Sequence, residues 1–287
     1  MLASFRQWFG AAGVSPDRPD STGFFTMTLP GGKTILMDPV NGRDQIVLMA
    51  ERSSWDEFER PLPGIIRACA ETHPKGVIVD VGANTGFYAL IASRAAPRAR
   101  VLAFEPFPLA FETLSRNIAA NAGVRIRAVP MAVSDRNGEA TLYVPTQEHG
   151  LVETSSSLEE GFRSDYGSTQ AVPITTLDTY LSNERLAGER VTMIKADVEG
   201  HEAAVIAGAR ATIARWRPLL FLEVLPHGDA RAMTSFLAEE RYEDVPIRAG
   251  VKLRVEPRVE HHWDAWNHAL VPAEHLDRFL KLAGSLT

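Results

Sequence analysis

The chain has a single cysteine, Cys69, among 287 residues. That excludes an internal disulfide and a cysteine-based zinc cluster, and it fits a reducing compartment, so a cytoplasmic protein is expected. Basic residues are outnumbered, with 30 Lys and Arg against 36 Asp and Glu and a formal net charge of -6. A protein that grips nucleic acid by broad backbone neutralisation needs the opposite balance; no nucleic-acid partner is expected, though a local basic pocket stays open. No apolar run approaches the ~20 residues that cross a bilayer, so no transmembrane segment is expected. Met1 to Gly13 carries only Arg6 and lacks the uninterrupted apolar core of ~7–15 residues that a secretory signal requires. Internal repeats and low-complexity stretches are also missing.

What is present is the composition of a folded chain: 45% hydrophobic and 23% charged residues, enough to bury a core. Leu2, Phe5, Trp8 and Phe9 share one helical face, and Pro16 to Gly23 reads as a linker. Phe24 to Leu29 and Lys33 to Met37 flank Pro30-Gly31-Gly32, a hairpin signal. Asp44 to Ala70 is mostly helical, broken near Pro61 and Pro63. From Gly76 the grammar changes to short β-branched runs alternating with helices: strands at Val77–Val79, Val101–Phe104, from Val124, Val191–Ile194 and Leu219–Leu222; helices at Phe87–Ala96, Leu109–Asn121, Glu202–Ile213 and Ala230–Glu240. Ala140–Val144 and Val172–Thr176 bound a polar stretch, His149 to Thr169, while Tyr242–Ile247 and Trp263–Val271 close the chain as a hairpin-like unit. This alternation predicts an α/β fold, a parallel sheet wrapped on both faces, with ligands beyond the carboxyl ends of its strands. Two units are expected: residues 1–60, an appendage acting as a lid or dimer contact, and a catalytic domain over 61–287.

The first strand ends in Asp80-Val81-Gly82-Ala83-Asn84-Thr85-Gly86 and a helix follows at once. Gly82 and Gly86 permit a tight turn that leaves the backbone open to a ligand at the helix N-terminus; a purely structural turn is the plain alternative. Glu105, 25 residues beyond Asp80, ends the second strand, where a carboxylate accepts hydrogen bonds from both hydroxyls of a ribose. A dinucleotide fold places glycine where this chain has Asn84, which would crowd a pyrophosphate. An amide and the Asp80 carboxylate suit instead the amino-acid end of S-adenosylmethionine.

These residues, together with Phe104-Glu105-Pro106, Asn117, Ala132-Val133-Ser134-Asp135, Gly138, Thr175-Leu177-Asp178 and Lys195-Ala196-Asp197-Val198-Glu199-Gly200-His201-Glu202, resemble the FkbM family of S-adenosylmethionine-dependent methyltransferases, from about Trp55 to about Glu223. The resemblance implies a Rossmann-like class I methyltransferase sandwich with a mostly parallel seven-stranded sheet, order 3-2-1-4-5-7-6, strand 7 antiparallel. It implies S-adenosylmethionine as donor and O-methylation of a small-molecule or glycan hydroxyl. Asp80, Gly82, Asn84 and Gly86 would hold the methionine end and Glu105 the ribose. Ser134 and Asp135 would bound the adenine, with a turn cap before Asn137-Gly138 as the alternative for Asp135.

Asp197 follows the fourth strand, beside the first, where donor and acceptor meet. It is the expected acceptor-orienting or basic group, with Glu199 and His201 assisting; Glu199 to Glu202 could equally cap a helix N-terminus. Lys195 shares a face with Asp197 and is as well suited to a buried ion pair as to chemistry. Glu223 and His227 compete for substrate contact, with an exposed loop position the default for His227. No metal ligand is assigned: carboxylates near one sheet edge leave a divalent ion open, but their spacing does not require it, and His261-His262 with Asp264 is set aside because adjacent strand residues face opposite ways. Thr154 to Ser157 reads as a lid or acceptor-facing loop. An NAD(P)-dependent oxidoreductase, a catalytically silent nucleoside-binding scaffold and a homodimer also stay open.

Overall fold

Residues 23–145, 156–160, 166–186 and 188–287 are described by the computed structural model. The helix expected over Leu2, Phe5, Trp8 and Phe9 lies outside them, as do Thr154 and Ser155. Gly31 and Gly32, at φ 81° and 77°, reverse the chain between β1 (Phe25–Thr28) and β2 (Thr34–Met37), an antiparallel pair. Asp44 caps α1 (Gln45–Arg52) by accepting the Val47 N–H, and α2 (Leu62–Thr72) opens on a proline in its first turn.

Strands and helices then alternate as the sequence predicts: β3 (Val77–Val81), α3 (Phe87–Ala95), β4 (Arg100–Phe104), α4 (Pro108–Ala120) and β5 (Ile126–Val129). A separate three-stranded sheet follows, built from β6 (Ala132–Val133), β7 (Gly138–Pro145) and β8 (Tyr166–Thr175) in the order β6-β8-β7. The chain returns through α5 (Leu177–Asn183), β9 (Val191–Ala196), α6 (Glu202–Ala207), α7 (Arg210–Trp216), β10 (Leu219–Glu223), α8 (Ala230–Glu240), β11 (Tyr242–Pro246), β12 (Asn267–Pro272) and α9 (Leu276–Ala283).

The main sheet is Rossmann-like and seven-stranded, in the order β5-β4-β3-β9-β10-β12-β11. Counted along the chain within this sheet, that is 3-2-1-4-5-7-6, and only its seventh strand, β12, runs antiparallel to its neighbours. Alternation along the strands divides the core. Ile78, Val101, Ala103, Met193 and Phe221 join one apolar cluster with α2, α3 and the β1–β2 hairpin. Val79, Val81, Leu102, Phe104, Ile194 and Leu222 join the other, with residues of α5 to α8. β3 and β9 are adjacent although β4 and β5 intervene in sequence, so the direction of strand addition reverses between them, and a cleft opens at their carboxyl ends.

Three features differ from the sequence expectation. β8 begins at Tyr166, inside the stretch read as polar loop. Its early residues are mostly exposed, so no apolar alternation marks it. The single helix expected over Glu202–Ile213 is two, separated at Gly208-Ala209. A Cβ at Gly208 would stand 1.9 Å from the Ser134 carbonyl oxygen, and the Asp178 carboxylate captures the N–H groups of Ala211 and Thr212 at 2.8 and 2.9 Å, starting a new helix. Finally, α9 closes the chain with Phe279 and Ala283 in the first apolar cluster. Among the described residues no helix is long and apolar enough to cross a membrane.

Candidate active site

β3 ends at Val81 and the chain must turn at once to enter α3. Gly82 and Gly86 make this turn at φ 73° and 96°. At Gly82 space is as restrictive as angle: a Cβ would stand 1.9 Å from the Asp197 carbonyl oxygen. The turn after β3 and the end of β9 therefore touch backbone to backbone, with the Asp197 N–H donating to Val81 O at 3.1 Å. The N–H groups of Gly82 and Ala83 go to the Phe104 carbonyl, at 3.0 and 2.9 Å. Asn117 supports the turn from α4, donating to the Thr85 carbonyl at 2.7 Å while its own Oδ1 accepts the Asp38 N–H at 2.7 Å, which ties the hairpin segment to the turn.

Around this turn lies a cleft of about 1190 Å³, counted with the solvent at its mouth. Asp44, Glu59, Glu105, Asp197, Glu199 and Glu223 line it, and among the described residues Lys195 is the one Lys or Arg in its lining. Glu105, 7% exposed, accepts the Asn84 N–H on Oε2 and the Phe107 N–H on Oε1, both at 2.8 Å. Burial pushes its carboxyl up to about 7 even though those two N–H groups favour the anion. Asp80 is buried directly before the lining, and neither of its oxygens has a hydrogen-bond partner among the described residues. Its pKa rises to about 6 through burial, offset by Lys195 and reinforced by Asp197.

Lys195 organises the other side. Its ammonium stands 3.0 Å from Asp197 Oδ2 and 4.6 Å from the centre of the Tyr88 ring. Burial works against its charge, but Asp197, Asp80 and Glu59 outweigh that and raise its pKa. Tyr88 donates to Glu59 Oε2 at 2.6 Å, and burial followed by the nearby Asp197 charge pushes Glu59 up to about 7. At the end of β10, Glu223 is 2% exposed; burial, then Asp197 and Glu199, raise its pKa well above the carboxylate range. Carboxylate oxygens of Asp197, Glu199 and Glu223 lie within 4.8 Å of one another.

The expected residues separate into groups. Gly82, Asn84, Glu105, Asp197, Glu199 and His201 all line the one cleft, with Asp80 and Gly86 at the two ends of its glycine turn. His201 has both ring nitrogens engaged, Nε2 with Ser134 Oγ at 2.9 Å and Nδ1 with Glu159 Oε1 at 2.7 Å, which fixes the orientation of the ring. Ser134 and Asp135, expected beside the adenine, are not among the lining residues: the Ser134 hydroxyl points to His201, and Asp135 is half-exposed against Arg136. Met131, Ala132 and Val133 line the wall there instead. The capping role falls to Glu202, whose Oε1 accepts the N–H groups of Val198 and Gly200 at 3.0 and 3.3 Å. Ser156 lines the cleft and Ser157 donates to the Glu199 carbonyl at 2.8 Å. His227 is exposed outside the lining, Asp264 pairs with Arg248, and His261 bonds the Val224 carbonyl. Sequence reading missed Asp44, Glu59 and Tyr88. No short motif marks them; the only signal was the helical break near Pro61, which places Glu59 at an element boundary.

The match to known proteins is specific. Residues 80–243, more than half of the chain, match the family model described as the methyltransferase FkbM domain. The chain belongs to the FkbM methyltransferase family. Methyltransferase sdnD of Sordaria araneosa is 30% identical over 153 residues, 46% of this chain and 59% of that relative, so this chain spans less than two thirds of its length. The 2-O-methyltransferase NoeI of Sinorhizobium fredii is 28% identical over 187 residues, covering 61% and 70% of the two chains. The crystal structure of methyltransferase FkbM from Methylobacillus flagellatus aligns with a TM-score of 0.45 at 18% identity, over 69% of this chain and 44% of that one. The family match spans the glycine turn, Glu105, Asp197 and Glu223, so the FkbM domain contains the cleft wall from β3 to β10.

Proposed function

We propose that this FkbM-family methyltransferase moves the methyl group of S-adenosylmethionine to a hydroxyl of a small-molecule or glycan acceptor. The observation that carries the reading is that Glu105, just past the tip of β4, lines the same cleft as Gly82 to Thr85 of the glycine turn and Asp197, with Asp80 buried on the adjacent strand β3 directly before that turn. The residues fit the donor chemically. Asp80 has two unpartnered buried oxygens for an ammonium, Glu105 keeps further lone pairs for ribose hydroxyls, and a lining rich in carboxylates suits a cation. When bound, the donor supplies an already activated methyl group on a positive sulfur, so the protein has mainly to align the acceptor and exclude water.

In this reading the turn from Gly82 to Gly86, with Asp80 and Asn84, holds the amino-acid end, and Met131 to Val133 flank the adenine. Asp197, fixed by Lys195, orients the acceptor with Glu199, while His201 positions the wall through Ser134 and Glu159. The segment before residue 61 covers the cleft, since Asp44, Gln45, Ile46, Phe58 and Glu59 all line it. The relative named a 2-O-methyltransferase supports oxygen as the acceptor atom. Titration calorimetry with S-adenosylhomocysteine and with NADH tests the donor: the first is expected to bind and the second not. Binding of NADH alone would end the proposal.

A further inference from the structure

Asp197, Glu199 and Glu223 come from the end of β9, the turn after it and the end of β10, and their carboxylate oxygens gather within 4.8 Å. Carboxylates this close raise one another's cost of ionisation, and Lys195 meets the group through Asp197 Oδ2 at 3.0 Å. One of the three, Glu223, is 2% exposed, and its Oε2 has no hydrogen-bond partner among the described residues. A buried acceptor left unpaired costs stability unless something outside the chain completes it.

We propose that Asp197, Glu199 and Glu223 form a binding site for a hard divalent cation of the Mg²⁺, Mn²⁺ or Ca²⁺ class. The donor set is all carboxylate, with neither the thiolate nor the imidazole that softer metals favour. The span also fits. Oxygens on opposite sides of a cation at ~2.1–2.5 Å stand ~4.2–5.0 Å apart, and adjacent ones closer. Three protein ligands leave coordination positions for the oxygens of an acceptor. The site therefore selects acceptors with two neighbouring oxygens, a vicinal diol or a hydroxy acid, and holds the reacting hydroxyl in fixed register with the glycine turn. This deepens the methyl-transfer reading and rests on it for the use of the site, but not for the binding of the ion.

The test reads binding rather than turnover. Mn²⁺ is titrated into the full chain, with and without S-adenosylhomocysteine, and the loss of the free-ion electron paramagnetic resonance signal is followed. The expected result is a single bound Mn²⁺ that Mg²⁺ or Ca²⁺ displaces, with affinity reduced at least about tenfold in Glu223→Gln and in Asp197→Asn. Far-ultraviolet circular dichroism spectra that match the wild type show that the variants are folded. If wild-type chain binds S-adenosylhomocysteine but no Mn²⁺, or if Mn²⁺ binds equally well to both variants, the cation site is wrong and the donor reading survives. If Mn²⁺ binds through Glu223 and S-adenosylhomocysteine does not bind, the cation site stands and the donor reading falls.

Discussion

At the scale of single residues, the cleft places carboxylates where water would ordinarily stabilise them and withholds most of that water. Glu105 shows the consequence. Its carboxyl is held near pH 7 by burial, and hydroxyl donors from a ribose would favour the anion over the acid. Lowering the pH through 7 is therefore expected to weaken S-adenosylhomocysteine binding, by no more than about tenfold per pH unit for each proton taken up. Glu105→Gln should bind more weakly at pH 8 and lose the upper part of this dependence, leaving the step near pH 6 that belongs to Asp80. Calorimetric titrations across this range check it; superimposable profiles for the two proteins would remove Glu105 from the ribose. Asp80, Gly82, Glu105 and Asp197 were legible because each sits at a strand tip, a position that hydrophobic periodicity locates. Glu59 and Tyr88 were not, because their meeting depends on how α2 and its preceding loop dock against α3, which no local pattern encodes.

At the scale of elements, short apolar runs carried nearly all of the strand assignment, since strands buried on both faces have no polar positions to blur them. Boundaries failed where a distant contact decides them. Gly208 ends α6 because the Ser134 backbone lies against it, and Asp178 of α5 begins α7 with two backbone hydrogen bonds and a third to Thr212 Oγ1 at 2.6 Å. Asp178→Ala strands these donors, at a cost of about 1–3 kcal/mol. The melting temperature should fall by roughly 2–4 °C for each kcal/mol in a chain of this size. S-adenosylhomocysteine affinity should hardly change, because Asp178 does not line the cleft. A variant that melts with the wild type would show that the cap adds nothing.

At the scale of the whole molecule, the sheet order brings together what the sequence keeps apart. Reversal between β3 and β9 sets Asp80 beside Lys195 in register, and β10 adds Glu223 from the far side. The hairpin, tied to α4 where Asn117 and Asn121 bond Asp38 and Leu36, leads into α1, whose cap Asp44 lines the cleft. The expected division at residue 60 thus cuts through a segment that packs into the same apolar cluster as α2 and α3. The most direct measurement is the crystal structure of the chain with S-adenosylhomocysteine. The account predicts ribose hydroxyls at ~2.6–3.2 Å from Glu105, the amino-acid end against Asp80 and the Gly82–Gly86 turn, and the sulfur facing Asp197. A ligand seated elsewhere, or turned so that Glu105 meets no ribose hydroxyl, would contradict it.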